Sequence, residues 1–412
     1  RPPTLLAGAE ELMARGVLDS VGGSPTAALS QLARAAGLLE SSPRAALLPD
    51  TPAALAALVA VHCGELEVAR SVLDRALAVD LGGSAARIRH RLLAAWITMQ
   101  AGAIGPARVA LTDVVAGAGR LEPRDELLAA GLDVALARRA ADLPLLTAAW
   151  ARAREAIVHH PVDLYALQPL GELVVAAARL RERSWVQPHL AEAQALLGRL
   201  DDPPLWAATV HWAGLHASLI SEDAAEGDRH AAALERAADT GGGTTRYVTA
   251  MAVAARRWLE LAAGTVDAAA VEVAARGLHA VGLTWEGGRL AGQAAVRTHD
   301  RRDMLALLGC ARALQSGPAP AAATPVSLDP ATAAAPPGDA ADGALSDRER
   351  EVAELVLEGL TYRQIGERLF ISAKTVEYHV ARMRQRLGSG SRSELFAQLR
   401  SLVDPSHRTS GP

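Results

Sequence analysis

The sequence predicts an all-α protein, and three observations support this. Apolar residues recur at three- and four-residue spacing, as in ELEVARSVLDRALAV and LPLLTAAWARAREAIV. The two-residue alternation typical of half-buried strands is almost absent from the first 315 residues. Half of the 412 residues are apolar but only 3% are aromatic, so the core must consist mainly of Ala, Leu and Val. Such a composition favours closely packed helices and excludes an all-β fold.

Residues 1–315 contain a degenerate repeat. A short loop followed by an Ala-rich helix recurs about every 40 residues. These loops lie near Gly64, Gly102, Asp142, Arg183, Gly227, Gly264 and Arg301. Each unit is long enough for one helical hairpin, and Ala69 in one unit aligns with Ala107 in the next, where a small side chain lets helices approach closely.

This pattern resembles the tetratricopeptide-like solenoids, although the period exceeds their usual length of about 34 residues. An irregular helical bundle is the alternative, because Ala-rich helices can look periodic by composition alone. A solenoid presents a concave groove. We therefore expect residues 1–315 to form a sensor domain that binds a ligand or a partner protein.

The composition changes sharply at residues 316–343, SGPAPAAATPVSLDPATAAAPPGDAADG. This stretch is dense in Pro and Ala and has no apolar period. It is predicted to be a flexible linker between the sensor and a C-terminal domain at residues 344–412.

The C-terminal segment carries start and stop signals for four short helices. Helix starts are predicted from the pairs Ser346 with Glu349, Thr361 with Gln364 and Ser391 with Glu394, which form capping boxes, and from Ser372. The first helix is predicted to end at Gly359 and the third at Gly388. The second and third helices, joined by the short Phe370-Ile371-Ser372 turn, have the spacing of a helix-turn-helix.

The third predicted helix has one apolar face and one polar face. The apolar face, which should pack on Leu355, Ile365, Leu369 and Ile371, contains Val376, Val380, Met383 and Leu387. The opposite face contains Lys374, Glu377, Tyr378, Ala381 and Gln385. A polar face that begins at the helix N-terminus suits entry into a DNA major groove.

Charge agrees with an interaction with DNA. Residues 344–400 carry a net charge of +2, whereas the rest of the chain carries −6. The third helix is more basic still, with Lys374, Arg382, Arg384 and Arg386, and Lys374 is the only Lys in the sequence. Arginine side chains in the C-terminal half of a recognition helix can contact phosphates. A solvated helix face is the alternative.

The segments LSDREREV, EGLTYRQIGERLFIS and KTVEYHV, in this order, resemble the LuxR-type (FixJ/NarL-type) DNA-binding domains of bacterial transcription regulators. The resemblance implies that the third helix reads the major groove and that the fourth helix mediates dimerisation. Leu395, Leu399 and Leu402 suit such a dimer seam, or the domain's own core. The resemblance assigns base contacts to Glu377, Tyr378 and Ala381 and backbone contacts to Lys374, Thr375 and Arg382. Gln385 and Arg386 are also expected to contact DNA. A carboxylate at residue 377, where related domains often have a basic residue, can accept a hydrogen bond from cytosine.

The arrangement is closest to the large LuxR-type regulators that place a nucleotide-switching module before a helical-repeat sensor. A P-loop requires a Lys, so the single Lys374 excludes one from this chain, and any such module is expected upstream of Arg1. Aromatic residues concentrate in one part of the sensor and suggest a small-molecule site, with a carbohydrate inducer as the leading ligand. The candidate residues are Trp150, Tyr165, Trp185, Trp206, His211, Trp212 and His216. The alternative is that the Trp residues fill gaps between Ala-rich helices.

We therefore expect a ligand- or partner-responsive, DNA-binding transcription regulator that acts on promoter DNA as a homodimer. The alternative is an interaction scaffold tethered to DNA by its C-terminal domain. No carboxylate pair, metal-ligand cluster or nucleophile constellation stands out, so no enzyme activity, metal or cofactor is expected. Glu286 and Arg289 in GLTWEGGRL are expected to tie one hairpin together. Cys63 and Cys310 are far apart and suit a reducing compartment, and no membrane span is apparent, so the expected location is the bacterial cytoplasm.

Overall fold

The computed structural model describes residues 4–41, 50–240 and 245–315 and, further along, residues 353, 355–357, 360, 361, 364, 365, 376 and 380. The chain divides into two compact units, Arg1–Ala322 and Ala323–Pro412. The predicted linker at residues 316–343 lies outside the described residues, so its flexibility stays a prediction.

The described part of the first unit consists of α-helices and one short 3-10 helix (Leu164–Ala166), without a strand, which confirms the all-α prediction. The first eight helices are α1 (Leu5–Gly22), α2 (Pro25–Glu40), α3 (Pro52–Cys63), α4 (Leu66–Ala78), α5 (Gly83–Gln100), α6 (Ile104–Gly117), α7 (Pro123–Arg139) and α8 (Leu143–Val158). The next eight are α9 (Leu167–Leu180), α10 (Arg183–Arg199), α11 (Pro204–Ser221), α12 (Ala224–Asp239), α13 (Arg246–Ala262), α14 (Ala268–Ala280), α15 (Thr284–Arg297) and α16 (Arg301–Gln315). Among the described residues, none of these helices combines the length and the apolar character that a bilayer crossing requires.

Consecutive helices pack as hairpins, from α1 with α2 through to α15 with α16. From the second hairpin onward, the second helices start at Leu66, Ile104, Leu143, Arg183, Ala224, Ala268 and Arg301. These starts lie 33 to 44 residues apart and within a few residues of the predicted loops. The predicted solenoid-like repeat of helical hairpins is therefore the architecture of the first unit.

The hairpins form an inner and an outer layer. All residues of the inner helix α3 are buried, and α9 and α11 are buried over most of their surface. The outer helix α4 buries only one face, formed by Ala69, Val72, Leu73 and Ala76 at helical spacing. Ala69 and the aligned Ala107 of α6 are both fully buried, as expected for small residues where neighbouring helices approach closely.

The inner helices also pack across the interior of the repeat. Helix α3 contacts α11 and α13, and the Nδ1–H of His62 donates to the Leu205 carbonyl oxygen at 3.1 Å. Gly64, with a φ of +77°, ends α3 so close to Val281 that a Cβ would lie 2.9 Å from the Val281 carbonyl oxygen. The inner helices therefore occupy much of the space that an open solenoid would leave as a groove, and ligand-sized spaces take the form of clefts between helices.

Candidate functional site

Six of the described residues in the C-terminal unit are apolar and belong to its buried core. Ala353, Leu355, Val356, Ile365, Val376 and Val380 are all buried. Val376 and Val380 belong to the apolar face predicted for the third helix, and Leu355 and Ile365 belong to the surface on which that face should pack. Leu369, Ile371, Met383 and Leu387 lie outside the described residues.

One predicted helix start and one predicted helix end in this unit have the hydrogen bonds expected of them. The Thr361 N–H donates to Gln364 Oε1 at 2.9 Å, and the Gln364 N–H donates to Thr361 Oγ1 at 3.4 Å. This reciprocal pair confirms the predicted capping box. The Leu360 N–H donates to the Leu355 carbonyl oxygen at 3.2 Å, a six-to-one bond typical of a Schellman helix end. It agrees with the predicted end of the first helix at Gly359, which is itself outside the described residues.

The capping box leads to a stability prediction. Thr361→Ala should destabilise the second helix of the C-terminal domain by about 1 kcal/mol, because the Gln364 N–H loses its side-chain acceptor. Hydrogen exchange of peptides covering residues 361–369 in the full chain should accelerate about fivefold. Thr361→Ser keeps the hydroxyl and should exchange like the unmodified chain. Equal acceleration in both variants would show that the hydroxyl does not cap this helix.

The residues predicted to contact DNA lie outside the described residues. They are Lys374, Thr375, Glu377, Tyr378, Ala381, Arg382, Gln385 and Arg386. Their roles stay predictions. Two described residues that lie among them in the sequence, Val376 and Val380, are helical and buried.

The predicted ligand residues of the sensor lie in separate environments. Trp150 is buried and its Nε1–H donates to Glu182 at 2.8 Å. Trp185 is 47% exposed under the guanidinium of Arg154, which also donates to Glu182 at 3.0 Å, so these two Trp residues flank one ion pair. Trp206 is fully buried, beside the rings of His62 and Tyr165.

The remaining three predicted ligand residues lie on α11. His211 faces His230, with 3.1 Å between their Nδ1 atoms. Trp212 contacts the edge of His216 at a ring distance of 4.5 Å, and both residues are buried. The structure therefore does not gather the seven candidates into one site. Tyr165 borders one cavity, and Trp212 and His216 border another.

The cavity beside Tyr165 is a cleft of about 620 Å³ formed by α1, α3, α5, α7, α9 and the 3-10 helix. Its apolar lining comprises Met13, Ala14, Val17, Leu18, Leu55, Leu127, Leu128, Ala166 and Pro169. Its polar lining comprises Asp50, Arg89, Arg124, His160, Asp163 and the Tyr165 side chain. A cleft of this size, mostly apolar with a few convergent polar groups, has the character of a small-molecule site.

The polar edge of this cleft is built on the buried side chain of Arg89. Its guanidinium lies 3.2 Å from Asp50 and 3.3 Å from Asp125. Burial raises the pKa of Asp125, and the positive charge of Arg89 opposes this shift. Burial and the nearby carboxylate of Asp163 raise the pKa of Tyr165 to about 12, so its phenol stays a neutral hydrogen-bonding group.

A second polar cluster lies where α7, α9 and α15 meet, and sequence reasoning missed it. Glu172 accepts hydrogen bonds from Arg138 at 2.8 Å and Arg139 at 2.9 Å, and Arg139 also donates to Glu286 at 2.9 Å. The expectation that Glu286 and Arg289 tie one hairpin together was wrong, because Glu286 bonds to α7, more than a hundred residues earlier in the chain. The only sequence signal was the pair of Arg residues that ends the apolar run VALA in α7.

Comparison with known proteins identifies the C-terminal unit. Residues 343–398 match the family described as bacterial regulatory proteins, luxR family. The chain is 44% identical over 55 residues to the spore germination protein GerE of Bacillus subtilis, covering 13% of this chain and 74% of GerE.

Two longer relatives match in the same way. The tetrathionate response regulatory protein TtrR of Salmonella typhimurium is 38% identical over 64 residues, 16% of this chain and 31% of TtrR. The oxygen regulatory protein NreC of Staphylococcus carnosus is 40% identical over 62 residues, 15% of this chain and 29% of NreC. The chain thus spans less than a third of these two relatives. Because residues 343–398 match this family and the chain covers most of GerE at 44% identity, the chain belongs to the luxR family of bacterial regulatory proteins.

Proposed function

We propose that this chain is a sequence-specific transcription regulator that binds promoter DNA as a homodimer and receives a small-molecule signal in its helical repeat. The match of residues 343–398 to the luxR family supports the DNA-binding part of the proposal. The cleft of about 620 Å³ supports the proposed sensor function. This function needs no catalytic group and places the protein with the DNA, in the bacterial cytoplasm.

The lining of the cleft favours one class of ligand. Its walls are predominantly aliphatic, and its polar groups include Arg89 and Arg124, which both pair with Asp50. The carboxylates of Asp50 and Asp163 both act on the Tyr165 phenol. An amphipathic molecule with an apolar body and a hydrogen-bonding end matches this arrangement. A carbohydrate, for which polar groups and stacked aromatic rings are usual, matches it less well, since Tyr165 is the one aromatic side chain in the lining that the structure describes.

Ligand binding can be tested with the amphipathic fluorophore 8-anilinonaphthalene-1-sulfonate. We expect saturable binding by the full chain and loss of that binding in Ala14→Phe, because this substitution fills the cleft from an exposed position on α1. Ala7→Phe is the matched control, because Ala7 is exposed on the same helix but does not line the cleft. Maltose and lactose, as competitors, test the carbohydrate alternative.

A second measurement tests whether ligand binding in the cleft changes DNA binding. Affinity for a DNA fragment selected from genomic DNA should change at least severalfold when the cleft is saturated, and Ala14→Phe should abolish that change. Probe binding without any effect on DNA affinity would contradict a sensor function for the cleft. Recovery of one protein partner through residues 1–315 would then favour the scaffold alternative.

A further inference from the structure

The polar cluster of α7, α9 and α15 contains more positive than negative charge. Arg138 and Arg139 share the carboxylates of Glu172 and Glu286, which balances two cations with two anions. Arg289 of α15 is a third cation, and no carboxylate lies within salt-bridge distance of it among the residues that the structure describes. The exposed Arg179 adds to the positive potential at Arg289. The cluster therefore carries an uncompensated positive charge.

Arg289 is held among aromatic rings. Its guanidinium carbon lies 4.9 Å from the ring centre of Trp258 and 5.5 Å from that of Trp285. The guanidinium groups of Arg138 and Arg139 lie 4.8 Å and 5.3 Å from the same Trp285 ring. Burial and the charge of Arg138 lower the pKa of Arg289 to about 10, so it stays protonated at neutral pH. Aromatic faces attract cations only weakly compared with a carboxylate.

A cavity of about 40 Å³ opens within this cluster, bordered by Gln168, His216 and the paired side chains Arg138, Arg139, Glu172 and Glu286. Arg289 does not border it but contacts His216, which does. It has room for a few atoms. Among the described residues, Arg139 Nε, Gln168 Nε2 and His216 Nε2 are buried without a hydrogen-bond partner. Gln100 also borders the cavity, and its Oε1 is a further buried atom without a partner among the described residues. Its amide can turn either its oxygen or its N–H₂ group inward.

The proton on His216 can be assigned from its neighbour. A guanidinium N–H of Arg289 approaches His216 Nδ1 to 3.5 Å, and an arginine can only donate, so Nδ1 is the acceptor. Burial and the surrounding arginines hold the pKa of His216 well below its usual value, so the ring is neutral. The single proton is then on Nε2, which makes it a buried donor that lacks an acceptor.

We propose that this cavity binds a compact anionic group, either a small inorganic anion such as chloride or nitrate or the carboxylate end of a small molecule. An anion would balance the third arginine and accept hydrogen bonds from Arg139 Nε–H and His216 Nε2–H. A cation is disfavoured by the excess positive charge, and a neutral water molecule leaves that charge uncompensated. The inference concerns binding alone and does not depend on the proposed DNA-binding function.

The test is thermal unfolding of the full chain at constant ionic strength, followed by tryptophan fluorescence. The bulky buffer anion of sodium HEPES is replaced stepwise by chloride, nitrate or formate. We expect a saturable rise in Tm of about 2 °C or more with at least one of these anions. The titrations with chloride and nitrate test for a free inorganic ion, and the titration with formate tests for a carboxylate group.

Two substitutions should change the anion-induced rise in Tm in opposite directions. Arg289→Met removes the uncompensated charge and should abolish the saturable shift. Glu286→Gln increases the excess positive charge and should enlarge it. Arg276→Met is the matched control, because Arg276 pairs with Glu272 on the exposed surface of α14 and should respond like the unmodified chain.

A crystal of the full chain soaked in bromide locates the ion independently of stability. An anomalous peak between Arg139 and His216 would support the proposal, even if Arg289→Met proved too unstable to study. Equal shifts in all variants, together with no peak in this cavity, would show that anions act only by screening the surface and would overturn the proposal.

Discussion

Replacement of both Lys374 and Arg382 by alanine is expected to weaken binding of the full chain to duplex DNA about 10- to 100-fold at moderate salt. Both residues are expected at the phosphate backbone on the third helix of the C-terminal domain. Alanine preserves helix propensity, so the fold should survive. Because phosphate contacts do not depend on base sequence, the loss should be similar on selected and unrelated fragments.

The salt dependence distinguishes this effect from a general loss of folding. Each phosphate contact contributes about −0.9 to the slope of log affinity against log salt, so the double variant should have a slope smaller in magnitude by about 1.8. Arg15→Ala is the control, because Arg15 is an exposed residue paired with Glu11 on α1. Unchanged affinity and slope in the double variant would show that DNA binds to another surface.

Glu172→Gln is expected to lower the free energy of unfolding of the helical repeat by about 3 kcal/mol. The substitution keeps the size of the side chain but leaves the buried guanidinium groups of Arg138 and Arg139 without the carboxylate that they share. Removal of one partner from a buried ion pair costs more than the pair contributes, since the remaining charge stays out of water.

The same contact predicts a pH dependence. Burial alone would raise the pKa of Glu172, but the positive charges of Arg138 and Arg139 outweigh it and hold that pKa below its usual range. A carboxyl with a depressed pKa in the folded state contributes stability above its unfolded pKa, and this contribution is lost as pH falls through the folded value. The stability difference between the unmodified chain and Glu172→Gln should therefore be full near pH 7 and shrink below about pH 4.

Urea unfolding measured by tryptophan fluorescence is suitable because every Trp of the chain lies within residues 1–315. Glu272→Gln removes the carboxylate of an exposed pair four residues apart, with side chains 58% and 36% exposed, and should cost less than about 0.5 kcal/mol. Two results would contradict a stabilising role for the buried network. One is a loss of unfolding free energy in Glu172→Gln no larger than that in Glu272→Gln. The other is a stability difference between the unmodified chain and Glu172→Gln that does not depend on pH.

Features encoded by neighbouring residues were predictable. The capping box of Thr361 and Gln364 needs only a hydroxyl and an amide three residues apart, and the structure contains both of its hydrogen bonds. The starts of the outer helices were predicted to within a few residues because Gly and Asp signals interrupt an apolar pattern at regular intervals. Such signals act within one helical turn, where sequence spacing and spatial distance are equivalent.

Clustering along the chain was a poor guide to clustering in space. Trp206 and Trp212 lie on the same helix, but Trp206 packs against His62 and Trp212 against His216. Residues six apart on a helix point in clearly different directions, because each residue rotates by about 100°. The concentration of aromatic residues in the sequence therefore did not correspond to one site.

The sequence by itself determined the helical class, the hairpin period and membership of the C-terminal segment in the luxR family, because each depends on local spacing or on a contiguous motif. Only the tertiary structure decided where the cavities lie and which charges meet. The cleft beside Arg89 requires five helices and the 3-10 helix, and the pair of Arg139 and Glu286 joins residues 147 positions apart. Packing of the inner helices across the repeat brings such residues together, and no local pattern encodes that packing.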